Sequence, residues 1–460
     1  MLSVMPWVAI LVTIIAAYGI IKNYKTHMVL FCAGFALIVL SVIAGNHDIL
    51  PKGAKSSGTL VFDIFDLFRL ISIRQISGIG FLILIAGGFS TYMERIGAAG
   101  KLVQICVEPL RFIRNPYILL PFAFLIGHAL GVVVPSAAGL AMLLMVSMFP
   151  LLVGLGVTPP AAAAIIGSTL CMSYPPTSPM SILAAKTIGT EPVALLIQYQ
   201  LALAIPVALV IAVLHGFVQR YFDKKEGLAS SAVAVETQSR SDPRVAALPG
   251  YYALFPLVPL ALLVVFNKLV WKTIVLDTST AMIVGWFLAI AVDLLRNRDI
   301  KKTFDDSMAM FSGMGAILTS VVSLIFVADF FSSGLQASGL INLLMDAAKA
   351  SGTGVTGSTV VLSACVGFIA LLTGSGVAAF TSLVGLVPPL AQSVGGDPGA
   401  MILPIQFASE MIRPVSPVAG VIIIVAGAAK VSPVSIAKRE AIPMGAGMIA
   451  ILVLNYVLFT

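Results

Sequence analysis

Two short stretches near the C-terminus carry residue types suited to holding an anion away from water. They are Leu371-Leu372-Thr373-Gly374-Ser375-Gly376-Val377 and Glu410-Met411-Ile412-Arg413-Pro414-Val415-Ser416-Pro417. The planar guanidinium of Arg413 matches a carboxylate through two parallel hydrogen bonds. Ser375 and Ser416 add hydroxyls, and Gly374 and Gly376 let backbone come close to a ligand. Both stretches sit in apolar sequence where a membrane-crossing helix would ordinarily run unbroken. A break at that depth frees N–H and C=O groups that lipid cannot satisfy, so it survives only when buried in protein or lining a wet cavity. An arginine there needs an anionic partner. A bound anion is one partner, and Glu410, three residues earlier on the same helix face, is the other. Thr373, Glu410 and Asp329 are the candidates for a coupling cation or proton. Asp329 lies within an apolar run and has no partner evident from sequence. His128, alone in apolar sequence, reads as a helix–helix hydrogen bond.

The N-terminal half contains the same devices. The apolar run from Tyr117 to Val134 meets Pro135-Ser136-Ala137-Ala138-Gly139, and a second interruption reads Ser173-Tyr174-Pro175-Pro176-Thr177-Ser178-Pro179. Ser136, Ala137 and Gly139 are expected at the tip of a re-entrant hairpin, as are Gly374, Ser375 and Gly376. Pro179 and Pro417 are placed to open new half-helices, where a missing N–H is no loss. Thr177, Ser178 and Ser416 then become caps at helix N-termini facing a cavity. Converging N-termini make an anion site.

These breaks repeat in register. An offset of 239 residues sets Ser136 on Ser375, Pro150 on Pro389, Pro159 on Pro398, Met172 on Met411 and Pro175 on Pro414. Upstream, an offset of 242 sets Ala86 on Ala328, Phe89 on Phe331 and Gly97 on Gly339. The chain is therefore expected to be a duplication. Halves of opposite membrane orientation with paired helix breaks are the sequence mark of a secondary transporter's site.

The elements that must position these residues follow from composition. The chain has 460 residues, 59% hydrophobic and 10% charged, and a mean hydropathy of +1.05. Soluble domains carry about 25% charged residues, so an all-α polytopic membrane protein is expected, and a water-facing globule is excluded. Apolar runs predict spans near 5–22, 27–44, 77–94, 117–134, 140–156, 193–219, 251–267, 273–295, 308–334, 357–372 and 440–459. The stretch Phe62–Ile73 is expected along the interface, and the first span is expected to be a retained helix and not a cleaved signal. The domain reading is an N-terminal transmembrane repeat, 1–221, a polar Ser-rich cytoplasmic linker, 222–249, and a C-terminal transmembrane repeat, 250–460. Each repeat holds one re-entrant helical hairpin and one broken transmembrane helix. Basic residues in short loops (Arg296, Arg298, Lys301, Lys302) account for the net charge of +7 through the positive-inside bias, not through nucleic acid. Four scattered cysteines lack any metal or disulfide spacing.

At these residues the chain resembles the C-type anaerobic C4-dicarboxylate uptake carriers (DcuC/DcuD-like) of the ion-transporter superfamily. The likeness covers nearly the whole chain. It includes Tyr92-Met93-Glu94-Arg95-Ile96-Gly97, Gly139-Leu140-Ala141-Met142-Leu143-Leu144-Met145, Gln219-Arg220-Tyr221-Phe222-Asp223-Lys224-Lys225, Gly374-Ser375-Gly376, Arg413 with Ser416-Pro417, and Val431-Ser432-Pro433. The resemblance implies a bacterial inner-membrane carrier of fumarate, succinate and malate, working by exchange against a counter-anion or with Na+ or H+. It also implies a homodimer and no cofactor. Val377-Ala378-Ala379 replace the family's usual Asn-Ala-Pro after the second tip, and Glu410 stands at a place that is often neutral. The pocket is accordingly less polar, and another carboxylate is the alternative substrate.

Other classes fare worse. A channel also uses re-entrant tips, but two halves around an arginine favour alternating access. A hydrolase built on Ser375 needs an activating base, and no histidine follows His215. No Walker-type phosphate loop and no HExxH pair occurs, so neither an ATP-driven pump nor a zinc protease is expected.

Overall fold

The computed structural model describes residues 4–22, 24–51, 54–113, 115–134, 136–228, 243–266, 274, 276–340, 343 and 354–459. The described residues are helical with no strand. The helices are α1 Met5–Ile21, α2 Thr26–Ile43, α3 Leu60–Gln75, α4 Phe81–Arg95, α5 Ala98–Val107, α6 Pro116–Val133, α7 Ala137–Gly154, α8 Pro159–Ser168 and α9 Pro179–Thr187. There follow α10 Pro192–Lys225, α11 Gly250–Val265, α12 Thr278–Asn297, α13 Ile300–Ile317, α14 Ser323–Ala337, α15 Gly354–Thr373 and α16 Gly376–Leu383. The last are α17 Val387–Val394, α18 Pro398–Met411, α19 Gly420–Ala429 and α20 Pro433–Phe459. Among the described residues, eleven helices are long and apolar enough to cross a membrane.

Helix starts follow local chemistry. Asn115, Thr158 and Asp397 accept hydrogen bonds from first-turn N–H groups of α6, α8 and α18, each of which opens with proline. Side-chain caps of this kind satisfy donors that the helix itself cannot.

One pair of elements shares the register expected of a duplication. α4 and α14 coincide at an offset of 242, and each is preceded by a five-residue wide turn, Ile76–Gly80 and Leu318–Val322. The second wide turn joins α13 to α14 as a continuous rod, 300–337, whereas the first joins α3 to α4 across a kink. The expected boundary near 77 falls at a kink in the first of these segments. Gly78, at φ −92° and ψ −106°, lies outside helical geometry and separates α3, which holds Phe62–Ile73, from α4.

Glycine sets the closest crossings. A Cβ on Gly34 of α2 would lie 2.8 Å from the Phe331 Cα of α14, and one on Gly88 of α4 would lie 2.6 Å from the Met310 carbonyl of α13. Small residues let backbones approach where lipid offers no hydrophobic drive between helices. At the centre lie α8 and α18, buried over Ala161–Ser168 and Gly399–Met411. A helix apolar all round must be enclosed, and the outer helices enclose these two while turning residues such as Phe217, Phe287 and Phe368 outward.

Part of the expected linker is ordered into the fold. Phe222–Lys225 extend α10, and Asp223 is buried there. Val245 and Leu248 pack over Gly100 and Gly97. The remainder, 229–242, lies outside the described residues, as do the expected basic link 268–272, most of the segment 338–350, and Pro135.

Candidate functional site

The interruptions converge on one cavity of about 360 Å³, within the range of about 300–1,000 Å³ usual for small-molecule pockets. The α7 tip supplies Ser136 and Ala137, and the α16 tip supplies Gly376 and Val377. Thr177 and Ser178 come from the break between α8 and α9, and Glu410 and Arg413 from the end of α18. Ser90, Thr91 and Glu94 of α4, with Ser173 from the same α8–α9 break, complete the polar lining. Seven residues expected at the site thus line it, drawn from both halves.

The two tips are built alike. Ser136 Oγ accepts from Gly139 N–H at 3.2 Å, and Ser375 Oγ accepts from Ala378 N–H at 3.2 Å. These hydroxyls cap α7 and α16. Gly139 itself does not line the cavity, but a Cβ there would collide with Glu94 Oε1, so glycine is what admits that carboxyl. Gly374 has φ +68°, and a Cβ on it would stand 2.7 Å from the Ala419 Cα. It shapes the tip from behind, and neither Gly374 nor Ser375 reaches the cavity.

The arrangement departs from expectation at several caps. Ser416 is fully buried and donates to the Leu371 carbonyl at 2.7 Å, tying the second break to the rod that ends at the tip. It does not cap α19, which begins at Gly420 behind Ala419. The Pro414 and Pro417 rings lack the N–H groups a helix needs, so the chain runs irregularly for one more turn before α19. Ser178 precedes α9 without a side-chain cap bond and pairs with Ser173 Oγ at 2.6 Å. The first-turn N–H groups of α9 are left toward the cavity, where Pro179 and Met180 line the wall. Thr373 donates to the Ile369 carbonyl and lies outside the cavity. Asp329 has the partners that sequence could not supply, Arg74 Nη2 at 2.6 Å and Gln75 Nε2 at 2.8 Å. It also lies outside the cavity, because the wide turn after Gln75 carries α3 alongside α14.

Arg413 and Glu410 are not within ion-pair distance of each other. Arg413 Nη2 donates to the Leu170 carbonyl at 2.6 Å, and its Nε is buried without a partner. Glu410 Oε2 accepts from Ser173 N–H at 2.5 Å. Both bonds cross between the halves, each satisfying backbone that the α8–α9 break frees. The Ser173 carbonyl accepts from Gln406 Nε2 at 2.8 Å and from Ser181 Oγ at 3.1 Å, and Gln200 joins through Ser181 at 3.0 Å. Such a closed polar network fixes the break in one geometry. Arg413 lines the cavity, and one bond to a backbone carbonyl leaves its guanidinium with donors to spare for an acceptor.

Glu94, Ser173, Gln200 and Gln406 were not singled out individually from sequence. Gln200 and Gln406 are fully buried in apolar helices, and a lone amide in such a run is the signal available. His128 Nδ1 meets the Thr169 carbonyl at 2.9 Å, the helix–helix bond expected of it. A second buried network lies at the α10–α20 seam. Arg439 holds Asp223 at 2.8 Å, Gln219 at 3.1 Å and Glu226 at 2.8 Å, and Asp223 also accepts from Thr158 at 2.8 Å.

Comparison with known proteins agrees with this architecture. The family model described as DcuC, C4-dicarboxylate anaerobic carrier, matches residues 6–459. A Vibrio cholerae protein named probable anaerobic C4-dicarboxylate transporter DcuC is 33% identical over 453 residues, covering 98% of this chain and 97% of that one. The Escherichia coli K12 anaerobic C4-dicarboxylate transporter DcuC is 31% identical over 446 residues, with 97% and 95% covered. Among solved structures, Neisseria gonorrhoeae MtrF, described within a class of antimetabolite efflux pumps, superposes with a TM-score of 0.64 at 15% identity, over 96% of this chain and 97% of that one. The Alcanivorax borkumensis YdaH transporter does so with 0.63 at 15% identity, over 94% and 98%. At that identity the two structures speak to fold alone. The chain belongs to the DcuC family, a family of carriers and not of enzymes. It is a multi-pass protein of the bacterial inner membrane.

Proposed function

We propose that this member of the DcuC family carries C4-dicarboxylates such as fumarate, succinate and malate, binding them in the central cavity between Arg413 and the broken-helix ends. One observation carries the reading. Interruptions from both halves meet at a cavity lined by an arginine that is not ion-paired to any carboxylate among the described residues. One carboxylate of the substrate takes the free edge of Arg413. The other takes the region of the α7 tip and the first turn of α9, where backbone donors and the helix dipole favour negative charge. The two repeats, 1–221 and 250–460, are inverted in the membrane, and their tips form re-entrant hairpins that rock around the fixed site to give alternating access. Transport proceeds by exchange or with a coupling cation, and the carrier works as a homodimer, in keeping with the family resemblance.

Thermal stabilisation of the purified protein by mono-, di- and tricarboxylates, each with and without sodium, tests the reading, because a ligand of the folded state raises apparent stability by mass action. Stabilisation by succinate or fumarate supports it. Selective stabilisation by a monocarboxylate or a larger acid would mean that Val377 and Glu410 have retuned the pocket. Silence from every anion removes the anion site.

A further inference from the structure

The cavity holds more negative charge than its proposed cargo allows. Glu94 and Glu410 both line it, against the single guanidinium of Arg413. With both acids ionised the lining carries a net charge of about −1, and a dianion would raise the total to about −3 in one small cavity, where like charges at close range repel. At least one acid must therefore hold a proton when the substrate is bound.

Geometry distinguishes the two. Glu410 Oε2 has the Ser173 N–H. Glu94 Oε1 is sealed from solvent and has no hydrogen-bond donor, pressed against the Gly139 backbone at the α7 tip. The nearby Gly139 N–H is engaged by Ser136 Oγ. Charged groups on the elements packed against α4 are occupied elsewhere. Asp306 of α13 pairs with Arg95, Asp293 of α12 accepts from Tyr252, Lys101 of α5 bonds Gln104 and the Ala246 carbonyl, and Lys186 of α9 pairs with Glu191. Arg296 of α12 lies over the Tyr252 ring, and Lys301, Lys302 and Asp305 of α13 face outward. A carboxylate oxygen sealed without a donor is costly when charged.

We propose that Glu94 is the proton-binding group of this cavity. In its acid form it donates a hydrogen bond to one substrate carboxylate, so that dicarboxylate and proton occupy the site together. The inference rests on the dicarboxylate reading of the cavity and deepens it by assigning the coupled ion. Linkage fixes the sign: substrate binds the protonated carrier, so affinity is full at low pH and is lost as pH rises through the Glu94 titration.

Two measurements on full-length purified protein test this. Infrared difference spectra at neutral pH, without substrate, should show a protonated-carboxyl C=O band in wild type that is lost in Glu94→Gln and kept in Glu410→Gln. Absence of a Glu94-dependent band overturns the proposal, whatever the substrate. Next, the succinate Kd is followed across pH. Wild type should weaken by up to tenfold per pH unit on the alkaline side, whereas Glu94→Gln should be flat there, with an unchanged melting temperature as the folding control. A Glu94→Gln variant keeping the wild-type slope overturns the proposal. If wild type binds no dicarboxylate, the substrate reading fails on its own, and the infrared band still decides Glu94.

Discussion

Replacing Arg413 with lysine separates charge from geometry at the centre of the site. Arg413 spends one Nη2 hydrogen on the Leu170 carbonyl at 2.6 Å, and its Nε is sealed. Nη1 and the second Nη2 hydrogen are the donors left to a carboxylate in the cavity that Arg413 lines. A lysine keeps the charge but gathers its donors on one flexible atom. It must then choose between the Leu170 carbonyl and the substrate. If it stays with Leu170, the ligand loses one charge-assisted hydrogen bond, worth about 1.5–3 kcal/mol. At 1.4 kcal/mol per decade, the succinate Kd rises by about 10–150-fold. If it turns to the ligand, the Leu170 carbonyl is left unsatisfied, and stability falls by about 1–3 kcal/mol. Titration calorimetry and thermal unfolding on the same preparation tell these apart. An Arg413→Lys protein that both binds and melts like wild type would refute the reasoning, because each of the two uses of the guanidinium would then be dispensable.

Three further substitutions probe the surroundings. Gly374→Ala forces a side chain into a left-handed conformation at roughly 1–2 kcal/mol and overpacks it against Ala419 at about 1–3 kcal/mol; the melting temperature should drop clearly, and an unchanged one would place the tip away from the second break. Arg439→Met strands Asp223 in the α10–α20 seam, and breaking a buried pair from one side costs about 3–5 kcal/mol, read as a lower melting temperature or failure to purify folded protein. Asp329→Asn removes an ion pair whose arginine side chain is 60% exposed, a loss of about 0–1 kcal/mol, and should leave the succinate Kd unchanged; a lost response to pH or sodium in transport would return Asp329 to the coupling machinery.

The breaks were legible because lipid makes them conspicuous: glycine, serine and proline inside an apolar run have few structural excuses. Their pairing across the halves was legible for the same reason, since Ser136 and Ser375 share both register and capping bond. What sequence withheld depended on long-range neighbours. Asp329 looked unpartnered because Arg74 stands 255 residues away, and nothing local links them. Ser416 looked like a cap, yet its hydroxyl finds the Leu371 carbonyl 45 residues away, and Ser178 pairs instead with Ser173 inside the same break. Glu94 sits beside Arg95 at the end of a span and reads as an ordinary interfacial pair. Only packing shows that Arg95 turns out to Asp306 while Glu94 turns in to the cavity.

The duplication and the chemistry obey different rules. At the offsets that align the halves, Glu94 corresponds to Gln336, Glu410 to Cys171 and Arg413 to Tyr174. The capping serines and wide turns are kept in both copies, whereas the charged residues of the cavity occur in one copy each. A repeated scaffold offers two equivalent arrangements of the same packing, which alternating access requires. A repeated arginine would defeat the site, because two guanidinium groups facing one cavity would repel each other when empty and hold a dianion too firmly to release it. One arginine, opposed by acids that can take up protons, gives a charge balance that changes with occupancy. The position equivalent to Arg413 bears this out, because Tyr174 packs against His128 outside the cavity lining and presents nothing to the substrate.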